Sequence, residues 1–150
     1  DASRTAIELG MNNRLDTLQA AILLAKLPHL DAERQHREHL ALCYDASLAD
    51  VTQTAPRDAG CDSAWALYTI RSDHRDTVRQ ALTDRRIAAA VYYHAPVHLH
   101  PAYQAFGSGP GSLPVSERLA GRVLSLPLSA EMTEAQGDRV AQALREALNQ

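Results

Sequence analysis

The sequence predicts an α/β protein in which a small mixed sheet is covered by helices and preceded by a helical arm. Three observations lead to this fold class. The first 48 residues contain two stretches with the apolar spacing of helices. The remainder alternates short, strand-like runs with helical patterns, in the order strand, helix, strand, loop, helix, strand, helix. The length of 150 residues suits one compact domain, or one domain with an arm from a larger protein.

The arm is predicted to contain two helices. From Arg14 onward, apolar residues three and four apart form a stripe that consists of Leu15, Leu18, Ala21, Ile22 and Ala25. We expect Asn12 or Asn13 to cap this helix, and Pro28 to kink or break it. A second helix is predicted over 31–48, with one apolar face made of Leu40, Tyr44 and Leu48.

Three short runs predict the strands of the sheet, at 64–71, 87–93 and 123–127. The first run is aromatic and β-branched, and the other two are mostly apolar. Residues 50–63 contain Pro56 and Gly60, which indicates a loop with room for a short strand. The segment 95–114 holds four prolines and three glycines, and irregular segments of this length in compact domains are usually functional or disordered.

Helices are predicted between these strands. A helix over 73–85 should point Val78 and Leu82 inward, with Ser72 or Asp73 as its cap. Pro114 fits the first turn of a helix over 115–122. The last helix begins with a capping box of Thr133 and Gln136, and its apolar stripe is Val140, Leu144 and Leu148.

Composition excludes several classes of protein. The formal net charge of −3 lacks the dense positive charge with which proteins bind nucleic acid. The longest apolar run, 20–25, is far shorter than the ~20 residues that span a bilayer, and the polar start predicts no signal segment. Two cysteines, Cys43 and Cys61, form no CxxC pair and predict idle thiols. We therefore expect a soluble cytoplasmic protein with no nucleic-acid or membrane partner.

The run from Gly10 to Ala21 is a candidate anion site. Gly10 permits a tight turn, the amides of Asn12 and Asn13 are hydrogen-bond donors, and Arg14 offers a planar fork for phosphate or carboxylate. The same residues also fit an ordinary capped helix, which these features alone favour.

The run 92–103 is a second candidate, because it contains His94, His98 and His100 beside several tyrosines. A transition metal is one interpretation, but there is no Asp or Glu between Asp84 and Glu117. Packing within the loop is another. The favoured interpretation is binding of a polar ligand such as a sugar or phosphate, and no metal site is predicted.

Lysine is nearly absent from the chain, with a single residue, Lys26, among 15 basic residues. A Schiff-base nucleophile at this position is conceivable, but a solvated lysine on a helix is favoured. Any other lysine chemistry must come from outside this chain.

Two motifs together resemble signatures of the DegT/StrS family of pyridoxal phosphate (PLP)-dependent sugar aminotransferases. One is Gly-x-Asn-x-Arg followed by Leu-Asp-Thr-Leu-Gln-Ala-Ala, from Gly10 to Ala21. The other is Tyr-Tyr-x-x-Pro-x-His-Leu-x-Pro-Ala-Tyr, at 92–103. Residues 114–127 and the helix start at Thr133 follow in the order of that family, so the resemblance covers nearly the whole chain.

The resemblance implies the C-terminal part of a longer, homodimeric fold-type-I enzyme. Residues 1–48 would be the end of the large domain with its connecting helices, and 49–150 the C-terminal α/β small domain. The Schiff-base lysine and most of the cofactor pocket would lie upstream, so the resemblance assigns no catalytic residue to this chain and implies that it is inactive alone.

The resemblance also implies roles for four residues. Asn12 matches an asparagine that reaches the cofactor phosphate of the other subunit, and Arg14 an arginine that meets substrate carboxylate or phosphate. His98, with Tyr93 beside it, matches a histidine near the nucleotide-sugar site. Two positions depart from the family pattern: His94 stands where proline is usual and His100 where glutamine is usual.

The implied reaction moves an amino group, with glutamate as the expected donor, to a keto group of a nucleotide-linked sugar. The motifs lean toward UDP-linked 3-keto sugars or keto-uronates for lipopolysaccharide or another surface polysaccharide. The alternatives are a regulatory or interaction module that reuses this fold, and an unrelated helical domain with a metal-binding loop.

Overall fold

The computed structural model describes residues 5–149. These residues form five α-helices and two β-strands, in the order α1 Thr17–Lys26, α2 Leu30–Leu48, β1 Tyr68–Arg71, α3 Arg75–Asp84, α4 Pro114–Ala120, β2 Val123–Leu126 and α5 Glu134–Leu148. Three 3₁₀ segments join them, at Leu27–His29, Val97–Leu99 and Pro101–Phe106.

The core lies between the sheet and the helices α2, α3 and α5. The helix α5 packs against both α2 and α3, and α3 also contacts β2. The largest fully buried side chains are Tyr44, Tyr68, Leu40, Leu48, Ile70, Leu82, Leu124, Leu144 and Val78. The inward faces predicted for α2 and α3 are therefore confirmed, because Leu40, Tyr44, Leu48, Val78 and Leu82 all belong to this core.

The sheet is smaller than the sequence predicts. Its two strands are antiparallel, with Tyr68 opposite Leu126 and Arg71 opposite Val123, and residues 5–149 contain no parallel pair. Gln53 adds an isolated bridge to Arg71, so the loop 50–63 contains one bridged residue and not the short strand for which it has room.

The predicted strand at 87–93 is wrong, because only Ala90 pairs with the sheet. Its N–H donates to the Ser125 carbonyl at 3.0 Å, and its carbonyl accepts from the Ser125 N–H at 2.7 Å. The Ile87 N–H is already bonded to the Leu82 carbonyl at the end of α3. This donor is not available to a strand partner, so the apolar run joins β2 at one point only.

The helix α1 forms as predicted, but with a different cap and no packing. Asp16, rather than Asn12 or Asn13, is the cap, and its carboxylate accepts the Gln19 N–H at 2.8 Å. Pro28 lies in a 3₁₀ turn that separates α1 from α2, so the predicted break is confirmed. No residue of α1 is buried, and its apolar stripe is exposed.

The starts of the later helices agree more closely with the sequence. In α5, Thr133 and Gln136 form the predicted capping box. The helix α3 starts at Arg75, two residues later than expected, and no side chain caps it. Ser72 instead accepts the N–H of His74 just before the helix. Pro114 is the first residue of α4.

Polar contacts fasten the loop before β1 to α2. Arg57 donates to Glu38 and to Asp45 at 2.5 Å each, and its guanidinium lies 4.6 Å from the centre of the Trp65 ring. The Trp65 indole N–H donates to Glu38, and the Tyr68 hydroxyl donates to Asp45 at 2.6 Å. The loop 50–67 is thus held on the core without secondary structure of its own.

The proposed division at residue 48 is a prediction about the longer protein. Within residues 5–149, the second half of α2 contributes Leu40, Ala41, Tyr44 and Leu48 to the same core as the sheet. Across residues 5–149, none of the helices combines the length and apolar character that a membrane crossing requires.

Candidate functional site

A cavity of about 410 Å³ opens beside the histidine-containing loop. Its lining includes Tyr92, Tyr93 and His98 of the loop, together with Ser116 of α4 and Val123 of β2. Small-molecule sites typically have volumes of about 300–1,000 Å³ with mostly apolar walls and a few polar groups. The cavity therefore brings together two of the four predicted site residues, Tyr93 and His98.

His98 is held in one orientation at this cavity. Its Nε2 donates to the Glu117 Oε1 at 3.0 Å, and only 9% of its side chain is exposed. A carboxylate is acceptor-only, so this contact places a proton on Nε2. The Nδ1 of the neutral ring is then an acceptor.

Glu117 also orders the glycine-containing loop in front of α4. Its carboxylate accepts the Gly111 N–H at 2.9 Å and the Leu113 N–H at 3.1 Å. Gly111 has a φ of +86°, a conformation that strongly favours glycine. The Gly111 N–H, the His98 side chain and the Leu113 N–H together hold the pKa of Glu117 below its ordinary value.

Gly107 allows the loop to pack closely on His98. A Cβ at this position would lie 3.2 Å from the His98 carbonyl oxygen and 3.3 Å from the His98 Cβ, which is tighter than nine in ten real Cβ contacts. The backbone at Gly107 therefore packs closely against His98, whose ring is also held by Glu117.

Tyr93 stands at the rim of the cavity. Its side chain is 60% exposed, and its ring lies 5.6 Å from that of Tyr92 in an edge-on arrangement. An exposed aromatic ring beside a cavity is available to stack on a ligand.

Asn12 and Arg14 lie apart from the cavity lining. Both are exposed in the irregular segment before α1. This segment is nevertheless tied to the loop, because the Ala6 N–H donates to the His100 Nδ1 at 2.9 Å. The sequence-predicted residues thus form two groups on connected segments.

The three histidines of the loop do not converge on one point. His94 is exposed, His98 contacts Glu117, and His100 contacts Ala6. In the described part of the chain, no three His, Cys, Asp or Glu side chains are grouped closely enough to hold a metal ion.

Lys26 does not lie in a ligand pocket. It is exposed in the last turn of α1. A Schiff-base lysine is usually activated by desolvation or by a neighbouring cation, and Lys26 is not desolvated.

Sequence reasoning missed Glu117 as a member of the site. The stretch 85–116 contains no carboxylate, so the sequence placed no acidic group beside the histidines of the loop. In the structure, Glu117 reaches His98 from the first turn of α4. The available signal was a glutamate just after a loop rich in glycine, whose N–H groups need acceptors.

Comparison with known proteins gives matches over almost the entire chain. The DegT/DnrJ/EryC1/StrS aminotransferase family matches residues 1–145. The erythromycin biosynthesis sensory transduction protein EryC1 of Saccharopolyspora erythraea is 44% identical over 138 residues, 91% of this chain and 38% of its own length. The dTDP-3-amino-3,4,6-trideoxy-alpha-D-glucose transaminase of Streptomyces venezuelae is 41% identical over 91% of this chain and 37% of its own length.

A third relative acts on a UDP sugar by its name. The UDP-N-acetyl-3-dehydro-alpha-D-glucosamine 3-aminotransferase of Acidithiobacillus ferrooxidans is 40% identical over 94% of this chain and 38% of its own length. The chain therefore spans a little over a third of the length of each of these relatives.

Solved structures agree with the sequence matches. A DegT DnrJ EryC1 StrS aminotransferase from Brucella abortus superimposes with a TM-score of 0.83 at 42% identity, over 92% of this chain and 37% of that one. DesV from S. venezuelae gives a TM-score of 0.83 at 38% identity, over 94% and 38%. These neighbours confirm the predicted fold class, that of part of a fold-type-I aminotransferase. The chain belongs to the DegT/DnrJ/EryC1/StrS aminotransferase family.

Proposed function

We propose that this chain is the C-terminal part of a PLP-dependent aminotransferase that aminates a keto group of a nucleotide-linked sugar, with glutamate as the amino donor. The observation that carries the proposal is the cavity at the motif 92–103, where Tyr93 and the oriented ring of His98 line one open cavity in a chain of this family. The active protein is proposed to be a cytoplasmic homodimer.

The cavity suits the sugar side of such a substrate. The Tyr93 ring offers a flat apolar surface, on which a sugar or base can stack. The His98 Nδ1 can accept a hydrogen bond from a hydroxyl, because Glu117 occupies Nε2. These residues would bind and orient the substrate, and none of them is proposed to move a proton during amino transfer.

The segment before α1 suits the phosphate end of the cofactor. Asn12 contributes an amide donor and Arg14 a guanidinium, and both side chains are exposed. When bound, PLP supplies the electron sink for the exchange of the amino group. The lysine that holds its ring would come from outside residues 1–150, because Lys26 is exposed on α1.

The exposed stripe of α1 agrees with a longer protein. Leu18, Ile22 and Leu23 are each more than half exposed, and α1 buries none of its residues within this chain. Relatives of more than twice this length have additional chain that could cover such a stripe. The proposed cover is the large domain of the same enzyme.

The substrate class follows from the names of two relatives, one of which acts on a dTDP sugar and one on a UDP sugar. We propose a nucleotide-linked keto sugar for a surface polysaccharide such as lipopolysaccharide. The base and the aminated carbon are left to experiment.

The experiment is transfer of ¹⁵N by the full-length protein. The protein is incubated with PLP, ¹⁵N-glutamate and a panel of dTDP- and UDP-linked 3-keto sugars, and the sugar products are analysed by mass spectrometry. The proposal expects ¹⁵N in an amino sugar. Stoichiometric PLP binding without labelled sugar from any member of the panel would contradict it.

A second candidate is a regulatory or interaction module. It is favoured by one relative, EryC1, whose name describes a sensory transduction protein. This candidate expects the full-length protein to transfer no ¹⁵N to any sugar, whether or not it binds PLP.

A further inference from the structure

His100 joins two segments that lie 94 residues apart in the sequence. Its Nδ1 accepts the Ala6 N–H at 2.9 Å, and its Nε2 donates to the Ala95 carbonyl at 3.1 Å. A backbone N–H can only donate and a carbonyl can only accept, so the two contacts assign the tautomer with hydrogen on Nε2. Only 8% of the residue is exposed.

The same junction includes a backbone hydrogen bond. The Ala102 N–H donates to the Ala6 carbonyl at 3.1 Å, so Ala6 is held through both of its polar backbone groups. We name this arrangement of Ala6, Ala95, His100 and Ala102 the His100 latch. His100 itself is buried and the three alanines are half-buried, so loss of one partner would leave partly buried backbone groups without a hydrogen bond.

The latch lies between the two groups of proposed binding residues. His98 is two residues from His100, and Asn12 is six residues from Ala6. Six residues span at most about 22 Å even when fully extended. A fixed point at Ala6 therefore limits how far the segment with Asn12 and Arg14 can move from the loop with Tyr93 and His98.

We propose that His100 is a positioning residue that holds the cofactor-phosphate segment and the sugar-binding loop in register. This inference rests on the proposed function of Asn12 and His98. His100 touches neither substrate nor cofactor in this account. It acts through the backbone of Ala6 and Ala95, whose separation it sets.

The chemistry of the latch specifies a matched set of variants. Glutamine carries an acceptor and a donor on one side chain, as neutral histidine does, so His100→Gln can replace both hydrogen bonds. His100→Leu fills similar space and replaces neither. Ala6→Pro removes the donor from the other side of the latch and leaves His100 in place.

The test uses the full-length protein and three readouts: hydrogen exchange of the peptide 5–11, the dissociation constant of PLP, and the KM for the nucleotide sugar. His100→Leu and Ala6→Pro should each speed the exchange about fivefold or more, as expected for the loss of one hydrogen bond. Each of these two variants should both weaken PLP binding and raise the KM for the nucleotide sugar. The double variant Ala6→Pro/His100→Leu should be little worse than either single variant. His100→Gln should stay within about twofold of the parent in all three readouts.

Two outcomes would overturn the inference while the parent still transfers amino groups. One is faster hydrogen exchange while only the PLP dissociation constant or only the KM for the nucleotide sugar changes, or while neither changes. The other is a folded His100→Gln that is as impaired as His100→Leu. If His100→Leu does not fold, Ala6→Pro decides the question by the same criteria. A parent without amino transfer overturns the proposed function and the positioning role together, and the exchange readout alone then reports whether the latch forms.

Discussion

The Nε2 of His98 donates to the Glu117 Oε1 across 3.0 Å, and the same carboxylate accepts the N–H groups of Gly111 and Leu113. One carboxylate thus fixes both a proposed ligand-binding ring and the loop that encloses it. The consequence is that His98 and the start of α4 should respond together to any change at Glu117.

The first prediction concerns the pH dependence of this contact. The pKa of Glu117 is lowered in the folded chain by the Gly111 N–H, by His98 and by the Leu113 N–H. A carboxyl whose pKa is lowered by folding stabilises the folded state at pH values above its unfolded pKa of 4.5. This stabilisation is lost as the pH falls through the pKa of the folded state. We expect Glu117→Gln to be less stable than the parent at pH 7.

The difference between Glu117→Gln and the parent should shrink steadily below about pH 4.5. Urea unfolding between pH 7 and pH 3 measures it. Glu8→Gln removes an exposed carboxylate elsewhere and serves as the control. A difference that stays constant over this range would contradict the assigned role of Glu117.

The second prediction concerns the contacts that hold the loop before β1. Arg57 bridges Glu38 and Asp45 at 2.5 Å each and lies over Trp65, and about a third of its side chain is exposed. Partial exposure screens the charges, so Arg57→Met should lower the free energy of unfolding by only about 1–2 kcal/mol.

The matched control is Arg34→Met. Arg34 pairs with Asp62 at 3.9 Å, and the Asp62 side chain is almost fully exposed, so the change should stay within about 0.5 kcal/mol. Equal decreases in the free energy of unfolding for the two variants, measured by urea titration, would show that the Arg57 contacts contribute no more to stability than the exposed Arg34 pair.

The third prediction is that this chain alone does not hold PLP as an enzyme does. Its single lysine, Lys26, is exposed at the end of α1. The chain is mixed with PLP and reduced with borohydride. Peptide mapping should then find no more adduct at Lys26 than on a small amine of equal concentration. The Lys26→Arg variant should show the same residual PLP absorbance as the parent chain. A stoichiometric adduct at Lys26 with transaminase turnover would refute the proposal that the lysine comes from elsewhere.

The fourth prediction concerns Asn12 in the full-length enzyme. Asn12→Ala removes an amide donor to a doubly charged phosphate, and a hydrogen bond to a charged group contributes about 1.5–3 kcal/mol, so affinity for PLP should fall roughly 10- to 150-fold. Asn13→Ala, at the neighbouring exposed amide, is the control. Equilibrium dialysis gives both constants. Unchanged retention of PLP in Asn12→Ala would remove Asn12 from the cofactor site.

The elements that the sequence predicted well have their determinants close together. The helix α5 follows from a capping box and from Val140 and Leu144, all within a dozen residues. The helix α2 follows likewise from Leu40, Tyr44 and Leu48. Local periodicity fixes which face is apolar, and one core is enough to bury it.

The parts that were wrong or missed depend on contacts outside the segment in which each pattern was found. The run 87–93 is apolar like a strand, but the Ile87 N–H donates to a carbonyl at the end of α3, and only Ala90 is hydrogen-bonded to β2. Glu117 reaches His98 across 19 residues, and His100 reaches Ala6 across 94. No pattern within a single segment reports such contacts, whereas the motifs alone were sufficient to indicate the family.

The central claim is that the segment with Asn12 and Arg14 binds the cofactor phosphate, whereas the loop with Tyr93 and His98 binds the nucleotide sugar. The most direct test measures the two half-reactions of the full-length enzyme separately by stopped flow. His98→Ala should slow only the reaction with the nucleotide sugar, through a KM raised by a lost hydrogen bond worth about 1 kcal/mol or more, and leave the reaction with glutamate unchanged. His94→Ala, an exposed histidine outside the cavity lining, is the control for the loop and should change neither. Comparable slowing of the glutamate half-reaction by His98→Ala would contradict the account, because His98 would then belong to the cofactor site.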